Sequence, residues 1–262
     1  MREVVALIKR GKVVAFCGAG LSAESGIPTF RGKAGLWEKY DPQIYVNVQG
    51  IKSLLFSQAD KLRDFIVDFY GVMLAAKPNL AHYTLNNLEK NGYLTGIITQ
   101  NIDDFHTFAG SNNVSELHGN AYVLKCYRCD FSIKKTKEEW KKFIDSLKGI
   151  ADKDSIVKAI TSFMGRCPYC FKNLESCMVL FGQSLCEETL RKSYDYLNKA
   201  KTLLFIGTSG VVYPAASFPL YAKEKGAVVI NVNPHDSSVD EIADFCIRSP
   251  ALSFFENLSL HL

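Results

Sequence analysis

An α/β fold, with one parallel sheet covered on both faces and a smaller domain inserted into it, is what this chain of 262 residues predicts. Two observations predict it. Short β-branched or apolar runs recur at "KVVAFC", "TGIITQ", "KTLLFIG", "GAVVINV" and "ADFCI", and helical patterns separate most of them, which is the rhythm of a buried parallel sheet. The first run also empties into Gly18-Ala19-Gly20, with the small Ala23 three residues on. That turn can bring backbone amides close to a ligand, as in Rossmann-like domains.

The helices come in order. "REVVALIKRG" opens the chain, a second pattern runs over 60–76, "AHYTLNNLEKNG" has Gly92 just past its end, and "CEETLRKSYDYLNKA" precedes the third apolar run. Trp140, Phe143, Ile144, Leu147 and Ile150 recur at helical spacing, and Ile156, Ile160 and Phe163 suggest a second helix after them. No repeat, low-complexity segment or Pro/Gly/Ser linker divides the chain. The domains are therefore expected to interleave: 1–32, 79–121 and 176–262 form the Rossmann-like domain, and the inserts 33–78 and 122–175 form the smaller one.

The glycine turn departs from the usual dinucleotide pattern. A nucleotide-binding dehydrogenase continues into a long helix and then a strand whose terminal acid holds a ribose hydroxyl. Here the helix has room for barely two turns before Gly26 and Pro28. The next segment, "TFRGKAGLWEKYDP", has an arginine and three aromatics, Phe30, Trp37 and Tyr40, but no strand.

Composition narrows the class. At 47% hydrophobic residues the chain can bury a good core. No apolar run approaches the ~18 residues of a membrane span, and Arg2, Lys9, Arg10 and Lys12 break up any signal-like start. A cytoplasmic or otherwise intracellular enzyme without signal peptide or membrane association is expected. The net charge of +4 gives little support to direct nucleic-acid binding and leaves acidic or phosphorylated ligands open.

Four of the eight cysteines form two Cys-x-x-Cys knuckles, Cys126/Cys129 and Cys167/Cys170. That spacing lets paired thiolates approach one tetrahedral metal, with Zn2+ the default occupant; two redox pairs are the alternative. Four thiolates close the shell, so the metal is structural and has no position for a catalytic water. Cys17, Cys177, Cys186 and Cys246 lie in apolar surroundings and are expected in the core.

In open α/β sheets the ligand lies beyond the carboxyl ends of the strands. Three of the apolar runs end in polar residues, each end offering neutral donors and acceptors: Gln100-Asn101-Ile102-Asp103, Gly207-Thr208-Ser209 and Asn231-Val232-Asn233. Any one of them alone reads equally as an ordinary strand-end turn. His118, before Gly119 in "LHGN", is either a capped turn histidine or a general base, since imidazole exchanges protons near neutral pH.

"GAGLSAESGIPTFRG", "TQNIDDFH", "LHGN", the paired Cys-x-x-Cys, "LFG" and "GTSGVVYPAA", in this order from Val13 to about Ala251, resemble the sirtuin family of NAD-dependent protein-lysine deacylases. The resemblance implies that NAD binds between the sheet and the small domain. The acyl oxygen of an acylated protein lysine then attacks the ribose carbon bearing nicotinamide, and His118 deprotonates a ribose hydroxyl to carry the acyl group over to ADP-ribose. It also implies a role for each matching residue. Gly18, Ala19, Gly20 and Ala23 lie at the pyrophosphate, Phe30 and Arg31 cover the cofactor, and Gln100, Asn101, Ile102 and Asp103 hold the nicotinamide ribose and carboxamide. Asn101 also positions the ribose hydroxyls or the attacking water. Gly207, Thr208, Ser209, Asn231 and Asn233 hold phosphate and adenosine ribose, with Ala251 near adenine. The substrate peptide adds as a strand at Phe181, Gly182 and Val211.

The chain departs from the family pattern at Cys17 (usually Thr), Asp104 (usually Gly) and Gln183 (commonly Glu). Members that remove succinyl or malonyl groups carry a Tyr and an Arg three apart in the 60–76 helix. The aligned residues here are Ile66 and Phe69, so a neutral acyl group, acetyl or longer, is expected. A shifted register would offer Tyr70 and Arg63 instead. Protein mono-ADP-ribosylation or plain NAD hydrolysis on the same fold is the alternative activity. A module that senses NAD without turnover is a third reading, disfavoured by the complete set Gln100, Asn101, Asp103 and His118.

Overall fold

The computed structural model describes residues 1–29 and 36–261, with the backbone alone at Leu36. Its strands are β1 (Val13–Cys17), β2 (Leu94–Thr99), β3 (Val114–Glu116), β4 (Val123–Lys125), β5 (Ser132–Lys134), β6 (Glu175–Ser176), β7 (Thr202–Ile206), β8 (Val228–Val232) and β9 (Phe245–Ile247). Six of them form a parallel sheet in the order β3-β2-β1-β7-β8-β9, which is the expected fold class. The chain clusters into two compact units, one of Met1–Thr29, Lys77–Leu117 and Leu185–Leu262, the other of the described residues of Phe30–Ala76 and His118–Ser184.

The sheet unit shows why its strands read as unbroken apolar runs: every residue of β1 and β7 is buried, because helices cover both faces. On one face Val13, Ala15, Cys17, Leu204 and Ile206 pack with helix residues Ile8, Leu85 and Phe255. On the other, Val14, Phe16, Leu203 and Phe205 pack with Leu197 and Phe218. Phe16 and Phe205 stack at 5.0 Å, an offset pairing worth about 1 kcal/mol beyond its buried area. Gly96 lets a helix come close, since a Cβ there would lie 2.6 Å from the Tyr196 ring.

The second unit is built on the helix Ala59–Ala75 with the pair Lys137–Lys148 and Lys153–Met164. Thr136 and Glu139 form a capping box at the start of the first of that pair, and Asp152 caps the second. Tyr70 stacks on Trp140 at 3.7 Å and donates its hydroxyl to Ala121 O at 2.8 Å, while Tyr122 Oη donates to Met73 O. A small antiparallel sheet, β5-β4-β6, completes the unit. Residues 176–184 belong to it because Cys177 N donates to Val123 O, Val179 N to His118 O and Phe181 N to Val46 O.

The cysteines outside the knuckles need correction. Only Cys17 is in the core; Cys177 is half-buried and Cys186 and Cys246 are exposed. Cys186 is the N-cap of the helix Glu187–Lys199, and Cys246 is the outward residue of the edge strand β9. Apolar neighbours in sequence do not bury a residue at a helix start or a sheet edge.

Candidate functional site

In the sheet unit the polar groups gather at the carboxyl ends of β1, β2, β7 and β8, as that topology requires. The glycine turn is pressed against the end of β7. Gly18 N donates to Ile206 O and Gly20 N to Gly207 O. A Cβ at Gly20 would lie 2.7 Å from Gly207 Cα, and one at Gly18 2.5 Å from Thr208 Cβ. Only glycine fits in such a cradle. Two short 3-10 turns, Ala19–Leu21 and Ala23–Ser25, come next and end at Gly26 with φ 92°, so the short helix expected before Gly26 is there in its tightest form.

The turn after β2 is fixed by its neighbours. Gln100 Nε2 donates to Thr208 Oγ1 at 3.0 Å, and Asn101 Nδ2 donates to Gly18 O and to Ser22 Oγ, both at 3.1 Å. Ser22 Oγ in turn donates to Asp103 Oδ2 at 2.6 Å, and Asp103 Oδ1 accepts from Phe105 N. His82 bridges Asn79 and Ser22, with Nε2 at 3.4 Å from Ser22 Oγ. Burial raises the Asp103 carboxyl above its ordinary range although Ser22 and Phe105 N–H oppose it, and burial lowers His82 to about 4. Cys17 beneath them is a protonated thiol, pushed up by burial and by Asp103.

The ends of β7 and β8 join through Asn233, whose Nδ2 donates to Thr208 O at 2.7 Å. Asn231 is wholly buried and donates to Ser237 Oγ and Asp240 Oδ1, while its own Oδ1 has no partner. Ile102 is half-buried in the Gln100–Asp103 turn, and Ser209 is half-buried next to Thr208. Ala251 is buried as the first residue of the helix Ala251–Ser259. Val211 is 44% exposed. Hydrogen bonds thus link Gly18, Gly20, Gln100, Asn101, Asp103, Gly207, Thr208 and Asn233 into one neighbourhood. Phe30 and Arg31 lie outside the described residues.

His118 belongs to the other unit and is half-buried, with its carbonyl tied to Val179 N. Gly119 has φ 74°, and a Cβ there would collide with Cys177 O. In the same unit Phe181 is 53% exposed, and the turn at Gly182 (φ 88°) is closed by Gln183, whose Oε1 accepts from Leu180 N. On the helix Ala59–Ala75, Ile66 is half-buried and Phe69 is buried against Phe65 and Tyr70. The shifted register offers no carboxylate-binding pair. Tyr70 Oη is committed to Ala121 O, and Arg63 donates to Ile150 O and to Asp64.

The four knuckle sulfurs all lie within 4.8 Å of one another. Neighbouring pairs are 3.2–3.7 Å apart, against ~2.05 Å for a disulfide and about 3.8 Å for the edge of a ZnS4 tetrahedron. The donor set fits one Zn2+ held by Cys126, Cys129, Cys167 and Cys170. Asp130 (φ 57°) and Phe171 (φ 58°), each just past a knuckle, turn the chain in the left-handed region.

Ser22 and His82 escaped the sequence reading. A signal existed for His82: it falls on the buried stripe of the helix Leu80–Lys90, where an apolar residue is the ordinary choice.

A parallel sheet with a glycine cradle and polar strand ends, in a chain that also carries a four-cysteine metal module, defines a dinucleotide-binding α/β protein. A model of the Sir2 family matches residues 18–214, and the chain belongs to that family. It is 41% identical over 254 residues to an NAD-dependent protein deacylase of Pyrococcus abyssi, covering 95% of this chain and 92% of the relative. A relative of the same name from Pyrococcus furiosus is 41% identical over 249 residues, 94% of this chain and 90% of the relative. Among solved structures, a Sir2 homolog–NAD complex matches with TM-score 0.80 and 34% identity over 100% of this chain and 93% of the other. A complex described as Sir2-p53 peptide-NAD+ matches with TM-score 0.78 and 30% identity over 99% and 97%. Among the described residues no helix is long and apolar enough to cross a membrane.

Proposed function

We propose that this chain is an NAD-dependent protein deacylase that removes neutral acyl groups, acetyl or longer, from protein lysines and releases nicotinamide and O-acyl-ADP-ribose. The observation that carries the reading is the Gln100–Asp103 turn, whose polar side chains are held by Thr208, Ser22 and the Gly18 carbonyl next to a cradle that only glycine fits. Such preorganised groups cost no rearrangement at the moment of reaction.

NAD supplies the ribose carbon that accepts the acyl oxygen and the nicotinamide that leaves. The protein does the rest. Gly18, Ala19 and Gly20, with Ala23, line the pyrophosphate position, where the two glycines let the backbone come close; Gly207, Thr208, Ser209 and Asn233 hold phosphate and adenosine ribose; and Ala251 lies at the adenine. Buried Asn231 braces the strand end. Asn101 orients the ribose hydroxyls, and Asp103 with the Ile102 backbone holds the carboxamide. Phe30 and Arg31 cover the cofactor. His118 takes the ribose hydroxyl proton, a contribution on the order of 10² to 10⁴ in rate. Phe181, Gly182 and Val211 contact the peptide, and Ile66 and Phe69 face the acyl group. In this reading the sheet unit is the NAD-binding domain, the zinc is structural, and the protein acts inside the cell, where NAD and reduced thiolates coexist.

Incubation with NAD and an acetyl-lysine peptide, followed by mass spectrometry, tests this. O-acetyl-ADP-ribose with free lysine is expected. ADP-ribose attached to protein would favour the transferase alternative, free ADP-ribose plain hydrolysis, and unchanged NAD a sensing module.

A further inference from the structure

The turn after β8 carries a charge cluster that the proposed reaction does not use. It is packed on the turn after β7: Asn233 Nδ2 donates to Thr208 O, Ser238 Oγ donates to Ser209 O at 3.2 Å, and a Cβ at Gly210 would lie 2.5 Å from Ser238 Oγ. Asp240 lies within this turn. Its Oδ1 accepts from Asn231 Nδ2 at 2.6 Å and its Oδ2 from Ser237 N at 3.0 Å. Arg248, just past β9, grips the same carboxylate with two donors, Nη2 to Oδ2 at 2.7 Å and Nη1 to Oδ1 at 3.1 Å. The guanidinium also donates to His235 O and pairs with Asp236 at 2.9 Å.

We propose that Asp240 is a specificity-determining residue: it sets a negative charge at the adenosine end of the cofactor site and occupies Arg248, so that dinucleotides with a free 2′-hydroxyl are accepted and those with a 2′-phosphate are refused. The proposal rests on the reading above that Thr208, Ser209 and Asn233 hold the adenosine ribose. In dinucleotide-binding folds a strand-end acid takes the 2′-hydroxyl, while a nearby arginine accommodates a 2′-phosphate. The acid in the turn after β2, Asp103, is buried and bonded to Ser22 Oγ and Phe105 N, so that strand end leaves no acid for the adenosine ribose. Asp240 supplies it from the other side of the sheet, bonded to the residue one before the last of β8. Arg248, the one arginine of this cluster among the described residues, is already bridged to two carboxylates, Asp240 and Asp236. Two acids and one arginine leave the cluster with an excess negative charge, which repels a phosphate carrying roughly two more. The Arg248 guanidinium, the Ser237 amide and Asn231 hold the Asp240 carboxyl well below the usual carboxylate range, so the charge is complete at neutral pH.

Calorimetric titration of wild type, Asp240→Asn, Arg248→Gln and the double variant with ADP-ribose and with 2′-phospho-ADP-ribose tests this without recourse to turnover. Wild type should prefer ADP-ribose by at least about tenfold. Asp240→Asn should cut that preference at least about tenfold by releasing Arg248, and the double variant should lose that gain. Asparagine keeps an acceptor for Ser237 N–H, and Arg248→Gln, with Asp240 intact, should refuse the 2′-phosphate at least as strongly as wild type. Equal weakening of both ligands by Asp240→Asn would mark a structural role and overturn the proposal. So would a 2′-phosphate preference that rises in Arg248→Gln. Wild type that binds neither ligand would overturn the cofactor reading itself, whereas normal ADP-ribose binding with an unmoved ratio would sink the Asp240 proposal alone.

Discussion

A single added methyl at position 119 would disturb the candidate base next to it. Gly119 sits at φ 74°, and its Cβ would collide with Cys177 O, so Gly119→Ala must move the backbone that carries His118. A loss of roughly 2 kcal/mol in stability and a large loss of turnover are expected. His118→Ala makes a sharper test. It should lower deacylation on the order of 10² to 10⁴ while calorimetric NAD affinity stays within a few-fold, because the base acts once the cofactor is seated. Turnover close to wild type would remove His118 from the chemistry. At this scale the sequence singles out His118 and Asn101 through motifs that occur in a fixed order, but it does not single out Ser22 and His82. Their importance comes from meeting Asp103 across 81 and 21 intervening steps of chain, through Ser22 Oγ as the common partner. No local pattern encodes such a meeting.

Two elements of the second unit make predictions of their own. The zinc knuckles place Cys126 and Cys167 in buried positions, so Cys126→Ser removes a ligand and leaves buried Cys167, half-buried Cys170 and exposed Cys129 without their ion. The variant should lose its zinc and melt at lower temperature; retention of a full complement of metal would show that the site is misassigned. The helix Ala59–Ala75 bears on the acyl group. An ionised succinyl carboxylate placed against Ile66 and Phe69 would have to shed water without a partner, at a cost of several kcal/mol, because Tyr70 and Arg63 are bonded elsewhere. Each buried methylene of a neutral chain instead gains roughly 0.8 kcal/mol. Acetyl or longer apolar acyl-lysine should therefore exceed succinyl-lysine in kcat/KM by at least about tenfold, for which ~1.4 kcal/mol suffices. Ile66→Tyr with Phe69→Arg should shift the preference toward succinyl, and a panel of acyl peptides reads both outcomes. Elements of this kind were legible where periodicity was long, as in the paired helices Lys137–Lys148 and Lys153–Met164. β3, with only Val114–Glu116, has too few residues to show a period, and the short helices Leu36–Lys39 and Pro42–Tyr45 likewise gave no signal.

Across the whole molecule, the parallel sheet was readable because burial on both faces makes each strand apolar at every position. The extent of the second unit was harder to read, since β6 pairs with β4 across some fifty residues. The buried polar groups that such a core encloses set how the protein responds to acid. His82 is fully buried and its pKa falls from the ordinary 6.5 to about 4, and desolvation drives His106 down as well. A histidine whose folded pKa is depressed binds fewer protons folded than unfolded between those values, so its contribution is complete above 6.5 and is lost as pH falls toward 4. For His82 alone the full span is about 3 kcal/mol, and about 2 kcal/mol of it disappears between pH 7 and pH 5. Asp103 works the other way. Its carboxyl is raised by burial, so protonation as pH falls through the raised value favours the folded state and offsets part of the loss at the acid end. Urea unfolding at pH 7 and pH 5 should therefore show wild type clearly weaker at pH 5. His82→Gln should be less stable at pH 7 through its lost bonds, yet show a pH dependence smaller by about 2 kcal/mol, with the remainder carried by His106. An unchanged difference between the two pH values in His82→Gln would mean that His82 is protonated in the folded protein, and that the Ser22–His82–Asp103 cluster carries a different charge from the one its burial dictates.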